Sequence, residues 1–433
     1  MSSSERSTWL SAALSTVGPG GFVRSLTRLT SPSGAYPVHI FSARLSEEVE
    51  AFFAESGTRS SASGCALDSR SALAAAMAEA AERYAFSGLG WTPREETEGP
   101  GVSKALPYPV EELPLLLSPT APTISDLRCA LDQAHDWLAF AEWLPESGSA
   151  HRLHLPAASV FASHSTPSIP ASSNGLGAGY SVSTALRSAV LELIERDAFM
   201  IRWLHQLPGR VIDATSLLPR RITAAVDRLA EQNVSFRLYD ISSELPVSAL
   251  LGCTIMRQKG RGVAAVFGAA AGLERAEAAQ RAFRESAMAW YGYLEARDTG
   301  EQVSELSAPR DFTDHARWYA TPERFSQLEG FLRGAEALQP SEEAQQHRLA
   351  PPRDLDELVK ALAMAGLRVY YRDITPRPVE DLGLRVVRAV VPGLVPLSWG
   401  EYQPMPCSRL TSPRFALGAR PFAELSTQPH PFP

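Results

Sequence analysis

One eight-residue pattern occurs twice in this chain, each time inside a run free of helix breakers: Glu79-Ala80-Ala81-Glu82-Arg83-Tyr84-Ala85-Phe86 and Glu192-Leu193-Ile194-Glu195-Arg196-Asp197-Ala198-Phe199. Both Glu, the Arg, the Ala and the Phe keep the same register. At about 100° per residue, Glu192, Glu195, Arg196 and Phe199 share roughly one third of a helix circumference, and Ser188 joins them one turn earlier. Leu186, Val190, Leu193, Ile194, Ile201 and Leu204 fill the other side. The spacing therefore predicts a helix over about 183–204, anchored on its apolar face and presenting acids, one Arg and one Phe on the other. The first copy predicts a helix over 72–86, capped by Asp68 or Ser69, with Leu73, Met77 and Tyr84 buried.

Carboxylates at i and i+3 repel each other and cost a helix a few tenths of a kcal/mol unless a cation compensates. A single copy reads as a solvated face with Glu-to-Arg pairing. Two copies that keep an aromatic at the same offset argue for function, because a solvent face has no reason to retain one. Mg²⁺ prefers oxygen ligands, commonly a few carboxylates plus substrate phosphates, and Arg holds phosphate oxygens through charge-assisted hydrogen bonds. Acids and Arg on one face thus point to a nucleoside triphosphate bound through metal. The only lysines, Lys104, Lys259 and Lys360, stand outside any Gly-Lys-Ser/Thr context, so such a nucleotide would be bound by another architecture than the Walker loop. The stretch Gly175-Leu176-Gly177-Ala178-Gly179 lacks the full dinucleotide spacing and reads as a loop opening onto the second acidic helix.

With 433 residues, 45% of them hydrophobic, the chain can bury a large core. A strand and short helix are predicted over 37–53, a Ser/Gly turn at 60–64, strands at 137–144, 153–161, 234–241, 247–255, 263–269, 367–374 and 384–391, and helices at 274–297 and 355–365. That alternation defines an α/β protein with mixed β-sheets packed against long helices. Residues 88–122 and 299–353 read as variable insertions, and the chain from Pro404 is Pro-rich without periodicity. The net charge of −7 argues against a nucleic-acid partner. Four dispersed cysteines, no export signal and no long apolar run suggest a reduced, cytoplasmic protein without membrane spans.

Ser173-Asn174-Gly175-Leu176, followed by Ser188-x-x-x-Glu192-x-x-Glu195-Arg196-Asp197-Ala198-Phe199, resembles the central ATP-binding motif of the YcaO family, in particular its azoline-forming cyclodehydratases. Val386-Val387-Arg388-Ala389-Val390-Val391-Pro392-Gly393-Leu394-Val395-Pro396-Leu397 is similar to that family's late strand and turn, and the ending Pro429-His430-Pro431-Phe432-Pro433 to its Pro-rich tails. The likeness runs in order from about residue 60 onward, which implies an N-terminal α/β segment over 1–60, a catalytic domain over 61–410 and a tail over 411–433. It implies that Glu79, Glu82, Glu192 and Glu195 hold Mg²⁺ ions on the phosphates of ATP, with Arg83 and Arg196 near the phosphate chain and Asn174 and Ser188 lining the nucleotide site. Arg281 and Glu285, in the segment Arg281–Trp290, would add a nucleotide contact and a metal or substrate ligand. Pro431, Phe432 and the Pro433 carboxylate would reach into the active site and assist proton transfer.

The implied activity is phosphorylation of backbone amide oxygens in a ribosomally made precursor peptide, cyclising Cys, Ser or Thr to azolines. Because no fused binding domain precedes residue 60, a separate recognition protein is the expected partner; a homodimer is open. The same activation with another nucleophile would give a thioamide or amidine. Ala75 stands where the family usually has Ser, Ser63-Gly64-Cys65 where a turn often carries Lys, Met288 where Gln is usual and Trp290 where Arg is usual. The last two also admit a non-catalytic scaffold that binds a peptide or a partner enzyme.

Overall fold

The computed structural model describes residues 9–432 except 11–12, 31, 33–34, 56–60, 90, 92–96, 99–106, 145–150, 208, 259–261, 300–308, 310–313, 316–317, 320–321, 334–349 and 414–418. Three sheets of three or more strands and the helices laid on them form the frame. The first sheet runs β1 (Val23–Arg28), β2 (His39–Leu45), β3 (Ser61–Ala66), with helix α1 (Glu47–Glu55) between β2 and β3. The stretch read as a Ser/Gly turn is thus mostly strand. Its small residues serve close packing: a Cβ on Gly64 would lie 2.1 Å from the Ala72 carbonyl oxygen and 2.2 Å from the Ala76 nitrogen of α2 (Ser69–Ser87).

Asp68 caps α2 by accepting from the Ser71 amide, and Gly88 ends it in the left-handed conformation. The buried face of α2 is Ala72, Ala76, Met77, Ala80, Ala81, Ala85 and Phe86. Leu73 and Tyr84, expected inside, are only half-buried, because the alanine stripe is what faces β3.

The second sheet has the order β4 (Thr97–Glu98), β6 (Trp137–Glu142), β13 (Tyr370–Asp373), β14 (Arg385–Val390), β8 (Leu176–Gly179), with β7 (Arg152–Pro156) also paired to β6. The apolar run 153–161 stops being a strand at Pro156, and Ala157–Val160 turns as helix. The glycine-rich stretch predicted as a loop forms edge strand β8, with Gly177 opposite Val387 and Ala178 opposite Val386. The third sheet runs β12 (Gly262–Gly272), β11 (Ser248–Gln258), β10 (Val234–Asp240), β9 (Arg210–Ile212), while the short strand β5 (Leu116–Leu117) pairs with β15 (Gln403–Pro404). The α/β reading holds, but every pairing among the described strands is antiparallel. Helices here link strands of different sheets or cover a face, rather than crossing between parallel neighbours.

Helix α4 (Val182–His205) starts in a capping box between Ser181 and Thr184. It is not the two-faced helix its periodicity implies. Glu195, Asp197, Phe199, Trp203 and His205 are buried along with the predicted apolar face, so α4 is the central rod of the molecule. Helix α6 (Arg275–Thr299) covers the third sheet. Among the described residues three helices of nine or more residues went unread in the sequence: α3 (Ile124–Asp132), whose Thr123/Asp126 capping box was visible; α5 (Arg220–Ala230), which buries Ile222, Ala225 and Leu229 at helical spacing; and α7 (Pro322–Arg333), inside the second insertion. Helix α8 (Leu355–Met364) matches its expected span. No helix among the described residues is long and apolar enough to cross a membrane, and all four cysteines are free.

Candidate active site

Each acidic helix rests on a different sheet over strand glycines that let it approach closely. Gly64 of β3 admits α2, and on β8 a Cβ at Gly177 would come within 2.3 Å of the Ala185 oxygen of α4. On β12, a Cβ at Gly268 would lie 2.2 Å from the Ser286 nitrogen of α6. Close seating lets side chains reach across to the next sheet. Glu82 on α2 accepts from the Ala178 amide of β8 at 2.6 Å, and Glu195 on α4 accepts from the Ala271 amide of β12 at 3.3 Å. The sequence repeat is a repeat of geometry as well: Arg83 pairs with Glu79 at 2.7 Å and Arg196 with Glu192 at 2.5 Å, both i to i+4. Glu79 also accepts from the Ser63 amide at 2.8 Å.

The acids gather into one electrostatic unit. Burial, then Glu192, pushes the Glu82 carboxyl up to about 8. Burial likewise pushes Glu195 to about 8, with Arg281 and Arg196 opposing and Glu192 and Glu285 adding to the rise. Glu192 is also raised by burial, although Arg196, Arg388 and Arg281 counter it. Glu285 on α6 is wetted, yet burial raises its carboxyl and the field of Glu79 reaches it. A side chain that is both solvated and enclosed by protein lines a cleft. Arg388, in the middle of β14, is 5% exposed and held down to about 10 by burial, against the pull of Glu192. Its guanidinium donates to the Ser172 carbonyl at 2.5 Å. A cation inside an otherwise apolar strand was the signal by which sequence reading could have added Arg388 to the site.

Of the residues singled out in the sequence, Glu79, Glu82, Glu192, Glu195, Arg196, Arg281 and Glu285 meet in this cleft through their mutual fields. Arg83 joins through Glu79, Arg281 donates to the Ala271 carbonyl at 3.2 Å, and half-buried Ser188 lies one turn before Glu192. Asn174 is buried and held within the protein. Its oxygen accepts from Arg196 at 2.8 Å and from the Leu397 amide at 3.1 Å, and its nitrogen donates to Ser172 Oγ and the Leu397 carbonyl. With its amide hydrogens and both oxygen lone pairs engaged, Asn174 aims Arg196 and ties down the late turn.

Met288 is half-buried and Trp290 is core, stacked 5.1 Å from Tyr293. Pro431 and Phe432 are buried, and the Phe432 ring lies 5.0 Å from Phe199, one turn past Glu195. Pro433 lies outside the described residues. Two further ties went unread. Asp197, fully buried, accepts from Arg409 at 2.6 Å and from the Val395 amide at 3.0 Å, and His205 and Trp203 of α4 bond the Leu410 and Gln428 carbonyls.

The donor set fits Mg²⁺. Hard oxygens predominate, and carboxyls pushed to about 8 are short of positive charge at neutral pH. Among the described residues no three acids converge on one point. Mg²⁺ characteristically takes one or two protein carboxylates and completes its shell with phosphate oxygens and water. Arg196 Nε is buried without a protein partner, as a group awaiting an anion would be.

The cleft is built from acidic helices instead of a phosphate-binding loop, and its oxygen-rich lining suits a metal-bound nucleotide. The family model described as YcaO cyclodehydratase, ATP- and Mg²⁺-binding, matches residues 63–395, well over half of the chain, and the chain belongs to the YcaO family. No curated protein matches it significantly by sequence. Among solved structures it is similar to a heterocyclase in complex with substrate and cofactor (TM-score 0.75, 20% identity), covering 99% of this chain and 57% of that one. It is also similar to YcaO from Methanopyrus kandleri bound with AMPPCP and Mg²⁺ (0.58, 18%), covering 91% of each chain. A third likeness is to the E. coli microcin synthetase McbBCD complex with pro-MccB17 bound (0.58, 12%), covering 86% of this chain and 89% of that one. The chain thus spans little more than half the length of the first heterocyclase.

Proposed function

We propose that this protein uses ATP to activate backbone amides of a ribosomally made precursor peptide and cyclises Cys, Ser or Thr to azolines. The observation that carries the reading is the cleft itself, where acids from three helices face Arg196, Arg281 and Arg388 under strong desolvation. Mg²⁺, when bound, supplies Lewis-acid polarisation of the phosphates. Glu79, Glu82, Glu192 and Glu195 would hold it, and Arg83, Arg196 and Arg281 would bind phosphate oxygens. The peptide's thiol or hydroxyl loses its proton to solvent as it adds to the preceding carbonyl carbon, and the resulting oxyanion takes the γ-phosphoryl group from ATP, releasing ADP. Departure of phosphate with the amide proton leaves a C=N bond and a ring. Phe432, docked on Phe199 one turn past Glu195, and Pro431 before it would border the place where the peptide reacts. A separate recognition protein delivers the precursor, in keeping with a relative that is a multi-protein complex with pro-MccB17 bound.

The test is Glu192→Gln/Glu195→Gln with ATP, Mg²⁺ and a Cys- or Ser/Thr-rich precursor from the gene's neighbourhood. Wild type should remove the mass of one water per ring with matching phosphate release, and the double variant should fall by more than 10³-fold. Undiminished turnover in the variant refutes the metal assignment. A gain of mass from oxygen-to-sulfur exchange identifies thioamide formation instead.

A further inference from the structure

The segment leading to Phe432 is held by two stacked histidines whose hydrogen bonds leave neither ring room for another proton. His430 and His315 lie parallel, 4.1 Å between centroids and 17° between planes, and both are buried. The Gly400 amide donates to His315 Nε2 at 3.1 Å, so the His315 proton sits on Nδ1, which donates to the His430 carbonyl at 2.8 Å. The Phe432 amide donates to His430 Nδ1 at 3.2 Å, so His430 carries its proton on Nε2 and donates to the Ser398 carbonyl at 2.5 Å. Each ring is a neutral imidazole with one donor and one acceptor filled. Tyr319 and Trp203 add hydrogen bonds to the Pro429 and Gln428 carbonyls, and His430 stands edge-on to Phe199 at 6.0 Å.

The charged groups around His430 offer little to an imidazolium. Helix α4 contributes Arg196, of the wrong sign, and the 314–319 segment contributes His315, preceded by buried Asp314. The 398–400 turn contributes a carbonyl and an amide. Burial first, then His315, keeps the His430 ring neutral well below the usual imidazole range. Protonating it would also reverse the Phe432 amide bond, leaving two N–H groups face to face.

We propose that His430, clamped by His315, is a positioning residue that seats residues 429–432 against Phe199 beside the acidic cleft, and that seating requires the neutral ring. The same turn that receives His430 at Ser398 is tied to Asn174 at Leu397, and Asn174 holds Arg196. Tail and phosphate-facing guanidinium therefore hang on adjacent residues of one turn. The sign of the pH effect follows from linkage. A histidine depressed in the folded state contributes stability fully above its unfolded value of about 6.5 and loses it as pH falls below that. Seating should weaken on acidification, while the carboxylates of the cleft gain protons over the same range, so turnover alone cannot separate the two effects.

The test therefore reads seating directly. Deuterium exchange of the peptide spanning 425–432 is followed by mass spectrometry from pH 5 to 8 in wild type, His430→Ala and His430→Gln, with C2-proton exchange of the imidazole reporting its titration. In wild type the segment should be protected at pH 7.5 and exchange at least 10-fold faster at pH 5, relative to the intrinsic rate. His430→Ala should exchange fast at both, with the rest of the protein unchanged. Gln keeps a donor for Ser398 and cannot ionise, so His430→Gln should stay protected at both. The catalytic half of the proposal rests on the function proposed above: with precursor and ATP, His430→Ala should lose at least 10-fold in kcat with under threefold change in KM for ATP, and His430→Gln should recover most of it. Protection in wild type that persists after His430 has titrated, or an Ala variant as protected as wild type, overturns the clamp. A clamp that behaves as described in a protein showing no peptide-dependent ATP turnover overturns the functional reading and leaves the clamp standing.

Discussion

Glu82 and Glu195 are buried acids under a heavy electrostatic load. Both carboxyls are raised by burial from the usual 4.5 to about 8. Between those values the folded protein binds more protons than the unfolded chain, so stability falls as pH rises through that window. The melting temperature of the metal-free protein should therefore drop between pH 5 and pH 8. Mg²⁺ with a non-hydrolysable ATP analogue should restore more of it at pH 8 than at pH 6. Glu82→Gln/Glu195→Gln should flatten the metal-free profile and lose the nucleotide effect. Scanning fluorimetry across pH decides this; a double variant that still melts lower at pH 8 would mean the burden lies elsewhere. At this scale the sequence was legible where it repeated itself. The Glu-to-Arg pairing and shared register of 79–86 and 192–199 could be read from spacing alone. Asn174 could not, because nothing in Ser173-Asn174-Gly175 says that its amide will be used up by Arg196 and by Leu397, more than two hundred residues on.

Among elements, the decisive join is a strand glycine under a helix. Gly177→Ala puts a methyl 2.3 Å from the Ala185 oxygen and 2.8 Å from the Ala189 nitrogen, both backbone atoms that cannot swing away. Overpacking of this kind should cost about 2 kcal/mol and shift α4 on β8. Urea unfolding should report the loss, and ATP affinity should fall with it, since Glu192 and Arg196 ride on the displaced helix. Gly292, on α6 with open space around it, is the control and should tolerate Ala without loss. The same joins explain two misread stretches. Ser61–Gly64 and Leu176–Gly179 look like turns because small residues dominate them, yet they are strands whose smallness is demanded by the helix above. Periodicity named α4 and its apolar face correctly but not how much of the opposite face is buried, since burial of Asp197 by Arg409 and of Phe199 by Phe432 comes from distant segments.

Over the whole molecule, the cleft belongs to no single sheet. Glu82 ties α2 to β8 and Glu195 ties α4 to β12, so a ligand that settles their charges binds three layers at once. Nucleotide with Mg²⁺ should slow deuterium exchange in β3, β8 and β12 together, and protection confined to one of them would contradict a shared centre. Sequence reading recovered the α/β class and most strands, because apolar runs and their lengths are local. Strand direction and sheet membership were out of reach, because β8 pairs with β14 and β13 with β6 across about half of the chain.

The acids come from the first fifth of the chain, from its middle and from two thirds of the way along it: Glu82, Glu195 and Glu285. As the polypeptide emerges from the ribosome, the early pairs remain in water, where ionised carboxylates lie at little cost. Their desolvation waits for β8 and β12, which take up the carboxyls of Glu82 and Glu195, and for β14, which brings Arg388. Closing these layers is thus the part of folding that magnesium in the surrounding solution would make downhill.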